Sequence, residues 1–384
     1  MRILIAHNRY RESGGEDDVF ESEVRLLAAS GHDVHTLVVS NESVVSFLDK
    51  TLTAIRTVEN PVGIAAVAHA IERSRPDIVH VHNFFPLLSP GIYKACRQKG
   101  VAIVQTLHNY RPICASGQLL RDGQVCQLCL DGSPIWGLVH RCYRGSIIGS
   151  AAVTRMIAIH RWRKTWQNDV DRFIVLTEFG RRIFVKAGFP DKRIDVKPNF
   201  LEDPGEPPEM QRNGVLYVGR LSPEKGIATL IEASSRYSFP LRIIGDGPEM
   251  SSLRNRAGAN VKFLGRMSRA GVLDEMTRAA VVAVPSLWFE GFPLVVIEAF
   301  ASATPVVASR IGALAEVIED GKTGLLASAG SSVELGERLM QMLENETVSR
   351  GFGRAARQTF SRRYTPTINL KMLETIYNRA LSHQ

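Results

Sequence analysis

Short apolar runs alternate with amphipathic stretches of helical period along the whole chain. The apolar runs predict strands in both halves: Arg2–Ala6, Asp33–Val39, Ile78–His82 and Ala102–Leu107, then Val215–Val218, Leu241–Ile244, Val261–Leu264, Val281–Val284 and Val306–Ala308. Helical patterns fill the intervals, as where Phe20, Val24 and Leu27 share one face before Gly31. This order predicts an α/β protein with two Rossmann-like, doubly wound parallel sheets.

A proline-rich stretch divides the two halves. Pro198, Pro204, Pro207 and Pro208 stand among acidic residues in 198–213, which predicts a linker. We therefore expect a first domain at 1–197 with a cysteine-rich insert at 110–145, a second domain at 198–363, and a helix at 364–384 that packs back on the first domain. Two such domains enclose a cleft, and ligands bind at the carboxyl ends of parallel strands.

Composition narrows the class of protein. With 45% hydrophobic and 22% charged residues, the chain is typical of globular proteins. No apolar run reaches the roughly 18 residues of a membrane span, and the first residues predict a strand rather than a signal peptide. A cytoplasmic location follows as an expectation.

The net charge of +8 is concentrated in Arg141–Arg193, where 12 Lys and Arg stand against 4 Asp and Glu. This window also holds several isoleucines, Trp162 and Trp166, a composition that suits an anionic membrane surface. A solvated helix with buried aromatic residues would show the same composition. No nucleic-acid-binding motif accompanies the charge, so nucleic acid is not an expected partner.

Two glutamates, Glu290 and Glu298, bracket a strand-to-helix connection. A helix is predicted from Val295 to Ala303, which places Glu298 in its second or third turn and Glu290 in the preceding loop. A carboxylate aimed at hydroxyl groups beside free backbone N–H groups can bind a nucleotide sugar. A capping carboxylate and a solvated helix glutamate would give the same pattern.

Glycine-rich loops follow several predicted strands. In Gly219–Gly226, Arg220 and Lys225 leave the strand tip together and can neutralise a diphosphate. A second loop contains Gly245 and Gly247, and Gly14-Gly15 lies in the first connection, where the acids that follow would compete with a bound anion. Each loop alone is a common turn motif.

Taken in this order, the motifs resemble the family 4 glycosyltransferases, which are retaining enzymes of GT-B architecture. The resemblance covers nearly the whole chain and is carried by these stretches: Gly14-Gly15, Val79–Asn83, Leu107–Asn109, Gly219–Gly226, Gly245–Pro248 and Glu290–Glu298. A subgroup with a four-cysteine insert is the expected place within that family.

The resemblance implies roles for individual residues. Arg220 and Lys225 would hold the donor diphosphate, Glu290 the transferred sugar and Glu298 the ribose, while His108 would lie near the reacting sugar. With Glu298, the expected donor-binding residues are Gly14, Gly15, Gly219, Gly245, Gly247, Arg266, Gly291, Phe292, Pro293 and Leu294. We expect catalysis without a metal cofactor: no Asp-x-Asp triplet is assigned to a divalent ion, and the two cations take its place.

Histidines and cysteines remain to be placed. His80 and His82 are expected to point to opposite faces of their strand, and His108 has the better position for the cleft. Four cysteines fall within 29 residues, at Cys114, Cys126, Cys129 and Cys142. A structural zinc site fits them, as do four reduced thiols or a site in which His140 replaces one ligand. Cys96 stands apart and is expected to be a packed thiol.

The predicted function is retaining transfer of a sugar from a nucleotide-sugar donor to a glycan or polyprenyl-linked acceptor, at the inner face of a membrane, in cell-surface polysaccharide synthesis. Two alternatives remain open: an enzyme with a soluble small-molecule acceptor, and a nucleotide-sugar-binding protein without transferase activity.

Overall fold

The computed structural model describes residues 1–11 and 14–382 and divides into two α/β units. Unit 1 comprises Met1–Leu119, Gln127–Pro198 and the residues from Asn369 onward, and unit 2 comprises Leu120–Cys126 and Asn199–Ile368. Glu12 and Ser13, part of the first predicted connection, lie outside the described residues.

Unit 1 is built on a six-stranded parallel sheet in the order β2-β1-β3-β4-β7-β8. Its strands are β1 Arg2–Arg9, β2 Asp33–Ser40, β3 Ile78–Asn83, β4 Ala102–Thr106, β7 Arg172–Val175 and β8 Ile194–Val196. The segment Leu120–Cys126, which belongs to unit 2, forms a short antiparallel hairpin of β5 Leu120–Arg121 and β6 Gln124–Val125. Every residue of β3 and β4 is buried, as the near-continuous apolar pattern of covered parallel strands predicts.

Helices cover the sheet of unit 1. They are α1 Gly15–Ala29, α2 Phe47–Arg56, α3 Pro61–Ser74, α4 Gly91–Gln98, α5 Leu128–Asp131, α6 Trp136–Val139, α7 Ile147–Trp162, α8 Thr165–Asn168, α9 Glu178–Lys186 and α17 Pro366–Leu381. The core between sheet and helices includes Ile3, Phe20 and Ile78, and the C-terminal helix α17 adds Leu373 and Tyr377 to it.

Unit 2 repeats this architecture with the strand order β11-β10-β9-β12-β13-β14, all pairs parallel. Its strands are β9 Val215–Val218, β10 Leu241–Ile244, β11 Val261–Gly265, β12 Val281–Val284, β13 Val306–Ser309 and β14 Gly324–Ala327. Its helices are α10 Ile227–Tyr237, α11 Met250–Arg256, α12 Arg269–Arg278, α13 Leu294–Ala301, α14 Leu314–Val317, α15 Ser332–Glu344 and α16 Glu346–Arg363.

The predicted fold class is confirmed: two parallel sheets with helices on both faces match the doubly wound pattern. All nine predicted strands are present, with ends shifted by at most three residues. The strands β7, β8 and β14 were not predicted, and α13 ends at Ala301 rather than Ala303. Within the described ranges, no helix combines the length and apolar character that crossing a bilayer requires.

Candidate active site

Two glycine loops meet at the carboxyl ends of β9 and β10 in unit 2. The N–H of Gly219 donates to the carbonyl of Ile244 at 3.0 Å. Gly245 has φ +139°, and a Cβ there would stand 1.9 Å from the carbonyl oxygen of Gly219. Only glycine fits such an approach, so the sequence makes two loops adjoin at the edge where parallel sheets bind ligands.

A third glycine brings Lys225 beside the loop that follows β12. Gly226 has φ +68° and begins α10, and a Cβ there would stand 2.0 Å from the carbonyl oxygen of Pro285. The N–H of Leu287 donates to the carbonyl of Glu224 at 2.8 Å. The close contact of the two segments places the side chain of Lys225 next to that of Glu290.

Glu290 is buried and accepts two hydrogen bonds through the same oxygen. Nζ of Lys225 lies 2.8 Å from Oε1 of Glu290, and Oγ of Ser286 donates to that atom at 2.6 Å. Burial opposes ionisation, but the charge of Lys225 and these hydrogen bonds hold the pKa of Glu290 below its usual range. The site therefore contains a fixed carboxylate–ammonium pair at the end of β12.

The other predicted donor residues of unit 2 differ in exposure. Arg220 is exposed at the tip of β9, and Glu298 is partly buried in the second turn of α13, as predicted. Arg266 follows β11 with 83% of its side chain exposed and its Nε 3.6 Å from Asp246. Both arginines present their guanidinium groups to solvent, where an anionic ligand can reach them.

The segment that leads into α13 contains the remaining predicted donor residues, Gly291 to Leu294. Pro293 is the N-cap residue of α13, and the N–H of Leu294 donates to the carbonyl of Phe292 at 3.1 Å. One of the backbone amides expected to assist a phosphate is therefore already engaged.

In unit 1, His108 lies just beyond β4 and contacts a buried histidine. Its Nε2 lies 3.0 Å from Nδ1 of His82. Burial lowers the pKa of His108 well below its usual range, so the ring is neutral at physiological pH. Contrary to the prediction, His80 and His82 do not face opposite sides of β3. Both are buried, with ring centroids 4.4 Å apart. The expectation was wrong because residues two apart in a strand share a face.

Glu16 is a candidate site residue that the sequence did not single out. It accepts hydrogen bonds from Nδ2 of Asn83 at 3.2 Å and Nδ2 of Asn109 at 3.1 Å, the asparagines that end the two histidine motifs. Burial and the nearby charge of Asp17 raise the pKa of Glu16 to about 7. The sequence presented it only as an acid at a helix start. A histidine-asparagine pair after each of two neighbouring strands was the signal that could have found it.

The predicted Gly14-Gly15 loop is capped by its own acid. Gly14 is the N-cap residue of α1, and its N–H donates to Oδ2 of Asp17 at 2.9 Å. The N–H of Gly14 is therefore already bound to a side-chain carboxylate. A bound anion would have to compete with Asp17 for it.

One Asp-x-Asp triplet does occur in the chain, at Asp169-Val170-Asp171, and its second aspartate is structural. Oδ1 of Asp171 lies 2.5 Å from Arg97, and its Oδ2 accepts the N–H of Ile103 at 2.8 Å. Because that buried carboxylate already has a cation and an amide as partners, the triplet gives no reason to revise the expectation of metal-free catalysis, which stays a prediction.

The four clustered cysteines form no disulfide. Cys114 is buried, while Cys126, Cys129 and Cys142 are partly exposed. Four sulfurs on one zinc ion lie about 3.8 Å apart, yet among the described residues no three of these sulfurs lie within 4.8 Å of one another. The sulfurs as placed do not form a zinc site, and structural zinc stays a prediction. Burial raises the pKa of Cys96 to about 12, as befits a packed thiol.

The basic segment Arg141–Arg193 contains one buried and one exposed tryptophan. Trp166 is buried against Phe84, Tyr93 and Phe189, in agreement with the alternative of buried aromatic residues. Trp162 is 80% exposed. Both tryptophans lie among basic residues, and composition alone cannot tell which ring faces the core.

An exposed apolar area of unit 1 includes α2 and the start of α7, and we call it the α2–α7 surface. Its exposed apolar side chains are Val45, Phe47, Leu48, Leu52, Ile55, Ile147 and Ile148. A cavity of about 330 Å³ lies between the two helices. Arg11, Lys50 and Arg144 line this cavity, and no Asp or Glu of the described residues does.

Comparisons with known proteins agree with this architecture. A family model described as "Glycosyltransferase Family 4" matches residues 14–203, and one described as "Glycosyl transferases group 1" matches residues 201–359. The chain is 33% identical over 154 residues to an uncharacterized glycosyltransferase of Methanocaldococcus jannaschii, which covers 39% of this chain and 43% of the relative.

A second relative is the phosphatidyl-myo-inositol mannosyltransferase of Mycobacterium leprae, 33% identical over 172 residues, or 42% of this chain and 46% of the relative. Both matches thus span less than half of the relative's length. The crystal structure of Anabaena HepE in complex with UDP shares the fold, with a TM-score of 0.70 and 20% identity over 98% of this chain and 100% of that one. The two family matches and the shared fold identify the chain as a GT-B protein like the family 4 glycosyltransferases.

Proposed function

We propose that the protein is a retaining glycosyltransferase that transfers a sugar from a nucleotide-sugar donor without a catalytic metal. The observation that carries the proposal is the Lys225–Glu290 pair, held between the loops after β9 and β12 at 2.8 Å. An ammonium group beside a fixed carboxylate can bind a diphosphate and a sugar hydroxyl at neighbouring positions. The exposed Arg220 supplies a second cation at the same sheet edge.

The chemistry of transfer agrees with these groups. When the bond between sugar and diphosphate breaks, negative charge grows on the phosphate and positive charge on the sugar ring. Arg220 and Lys225 would stabilise the phosphate charge, since preorganised charges act where charge develops. The leaving phosphate would accept the proton of the acceptor hydroxyl as the new bond forms on the same face, which retains the anomeric configuration.

The donor is tested by thermal shift with a panel of nucleoside diphosphates and their sugars. UDP is the first candidate because HepE was solved in complex with it. A ligand at 100 times its Kd should stabilise the fold by about 2.7 kcal/mol. We expect the correct sugar nucleotide to stabilise more than its diphosphate, and a Glu290→Gln variant to lose that difference. NMR of the product then reports the anomer, and an inverted product, or no stabilisation by any nucleotide, contradicts the proposal.

For the acceptor we propose a lipid-linked glycan presented at an anionic membrane, as in cell-surface polysaccharide synthesis. The α2–α7 surface supports this, because exposed apolar side chains beside cations suit acyl or polyprenyl chains with phosphate groups. Phe47 is 79% exposed and Ile148 is 64% exposed. One relative is named for transfer to phosphatidyl-myo-inositol, a lipid acceptor.

Flotation with lipid vesicles tests the membrane proposal. The double variant Phe47→Ser/Ile148→Ser should lower vesicle affinity at least tenfold, because inserting a large apolar side chain contributes about 1.5 kcal/mol or more. Wild-type binding should require anionic lipid and weaken with salt. The control Val333→Ser removes an exposed apolar residue of unit 2 and should bind as wild type does. The proposal would be overturned if the double variant bound vesicles as tightly as the Val333→Ser control. It would also be overturned if the wild type did not bind vesicles at low salt.

A further inference from the structure

The indole N–H of Trp288 is a buried donor in the loop after β12, two residues before Glu290. Its Nε1 atom is buried and has no hydrogen-bonding partner among the described residues. A buried donor without an acceptor costs free energy, because water satisfies it in the unfolded chain. Such a group therefore calls for a physical reason, and its neighbours in unit 2 supply one.

The ring of Trp288 lies against the ammonium group of Lys225. Nζ of Lys225 is 5.4 Å from the ring centroid, within the range of a cation–π contact. The same Nζ lies 2.8 Å from Oε1 of Glu290, and Oγ of Ser286 donates to that oxygen at 2.6 Å. Lys225 is therefore shared between an aromatic ring and a carboxylate.

The indole N–H also lies close to the carboxylate of Glu290. Burial opposes ionisation of Glu290, Lys225 and Ser286 favour it, and the nearby indole N–H adds to the lowering of its pKa. The N–H nevertheless makes no well-aligned hydrogen bond to Glu290 in this arrangement. Glu290 thus has three donors around it and forms hydrogen bonds with two of them.

Lys225 is the member of this cluster that a ligand can reach. Glu290 and Ser286 are buried, whereas 24% of the Lys225 side chain is exposed. An anion that arrives from solvent can therefore draw the ammonium toward itself. Glu290 would then be a buried charge without its cation, which is strongly unfavourable unless another donor replaces the ammonium. The unused N–H of Trp288 is already in place for that.

We propose that Trp288 is a positioning residue: when the diphosphate of a nucleotide sugar draws Lys225 away, the Trp288 N–H donates to Glu290 in its place. Glu290 keeps its charge and its position while the ammonium serves the phosphates. The part played by the diphosphate rests on the proposed function, whereas the exchange of donors on Glu290 does not.

Lys225→Met tests the exchange in the ligand-free protein, because it removes the ammonium without any nucleotide. In ¹H–¹⁵N spectra of protein labelled at the indole nitrogens of its 4 tryptophans, Trp288→Phe assigns the signal of Trp288. In Lys225→Met this signal should move downfield as the new hydrogen bond forms. Lys225→Met/Glu290→Ala removes the acceptor and should return it toward its wild-type position. A signal that stays in place in Lys225→Met, or stays downfield in the double variant, overturns the proposal.

Titration with UDP connects the exchange to the donor site. UDP should move the Trp288 signal of the wild type downfield, and Trp288→Phe, which keeps a ring but has no N–H, should bind UDP about tenfold more weakly. In a Glu290→Ala background the same change should leave UDP affinity unchanged, because no carboxylate remains to accept the hydrogen bond. Trp162→Phe, which changes an exposed tryptophan of unit 1, is the control and should bind UDP as wild type does.

The two measurements separate the possible failures. An equal loss of UDP affinity from Trp288→Phe with and without Glu290 would show that the ring acts by packing alone, which overturns the proposal. If Lys225→Met does not fold, the wild type still decides, since a Trp288 signal unmoved at saturating UDP overturns the proposal too. A downfield signal in Lys225→Met together with no binding of any nucleotide would refute the proposed function alone.

Discussion

Alanine at Arg220 or at Lys225 is expected to lower the rate of sugar transfer by roughly 10²- to 10³-fold, the usual effect of removing one preorganised donor to a developing negative charge. Both side chains leave the segment between β9 and α10, and their position is imposed by the glycine loops rather than by flexible connections. Steady-state kinetics with the identified donor measure the effect, which should fall mainly on kcat because the charge on the leaving diphosphate is largest in the transition state.

The two variants should differ in one respect. Lys225 is also the cation that holds Glu290 ionised, at 2.8 Å. Its removal leaves a buried carboxylate whose pKa must rise, so Lys225→Ala should gain activity with increasing pH more steeply than Arg220→Ala. Lys262→Ala, which removes an exposed lysine of β11, is the matched control and should transfer at the wild-type rate. Wild-type rates in both site variants would show that the diphosphate binds elsewhere.

The predicted site residues that the structure brings together are placed by local constraints. Gly226 and Gly245 occupy backbone positions that exclude a side chain, and each follows or precedes a regular apolar run. Motif and structure therefore coincide within a few residues. The structure places Lys225 beside Glu290, and their roles in donor binding stay predictions. The strands β9, β10 and β12 were found at their observed ends for the same reason.

Other elements were not predicted because their polar residues form ion pairs and hydrogen bonds with residues that are distant in the sequence. Strand β7 begins with Arg172, which looks like a surface residue until it is paired with Asp195 of β8 at 2.6 Å. Glu16 and Glu23 read as ordinary acids of an amphipathic helix, and their partners lie 59 to 174 residues away. No local pattern records such pairs, because only the folded sheet brings β3, β4 and the start of α1 together.

Lys197→Met should destabilise unit 1 by about 3–5 kcal/mol, the effect of leaving a buried charge without its partner. Lys197 and Glu23 are both inaccessible to solvent, so the carboxylate cannot be rehydrated without opening the core. Urea unfolding followed by fluorescence measures the change, with Trp166 as a buried reporter in unit 1.

The matched control is Lys186→Met, which breaks an exposed ion pair with Asp131 and should cost less than about 1 kcal/mol.

The double variant Glu23→Gln/Lys197→Met removes both charges and should recover part of the lost stability, because no unpaired ion then remains in the core. The sign of the pH dependence follows from the pKa of Glu23, which is lowered in the wild type and should rise in K197M, where the buried carboxylate has lost its cation. The advantage of wild type over K197M should therefore be largest near neutral pH and shrink as the pH falls towards 4.5, the ordinary value for a glutamate. It should disappear as the pH falls through the lower folded-state pKa of the wild type. A K197M protein as stable as wild type at neutral pH would mean that the Lys197–Glu23 pair is not formed.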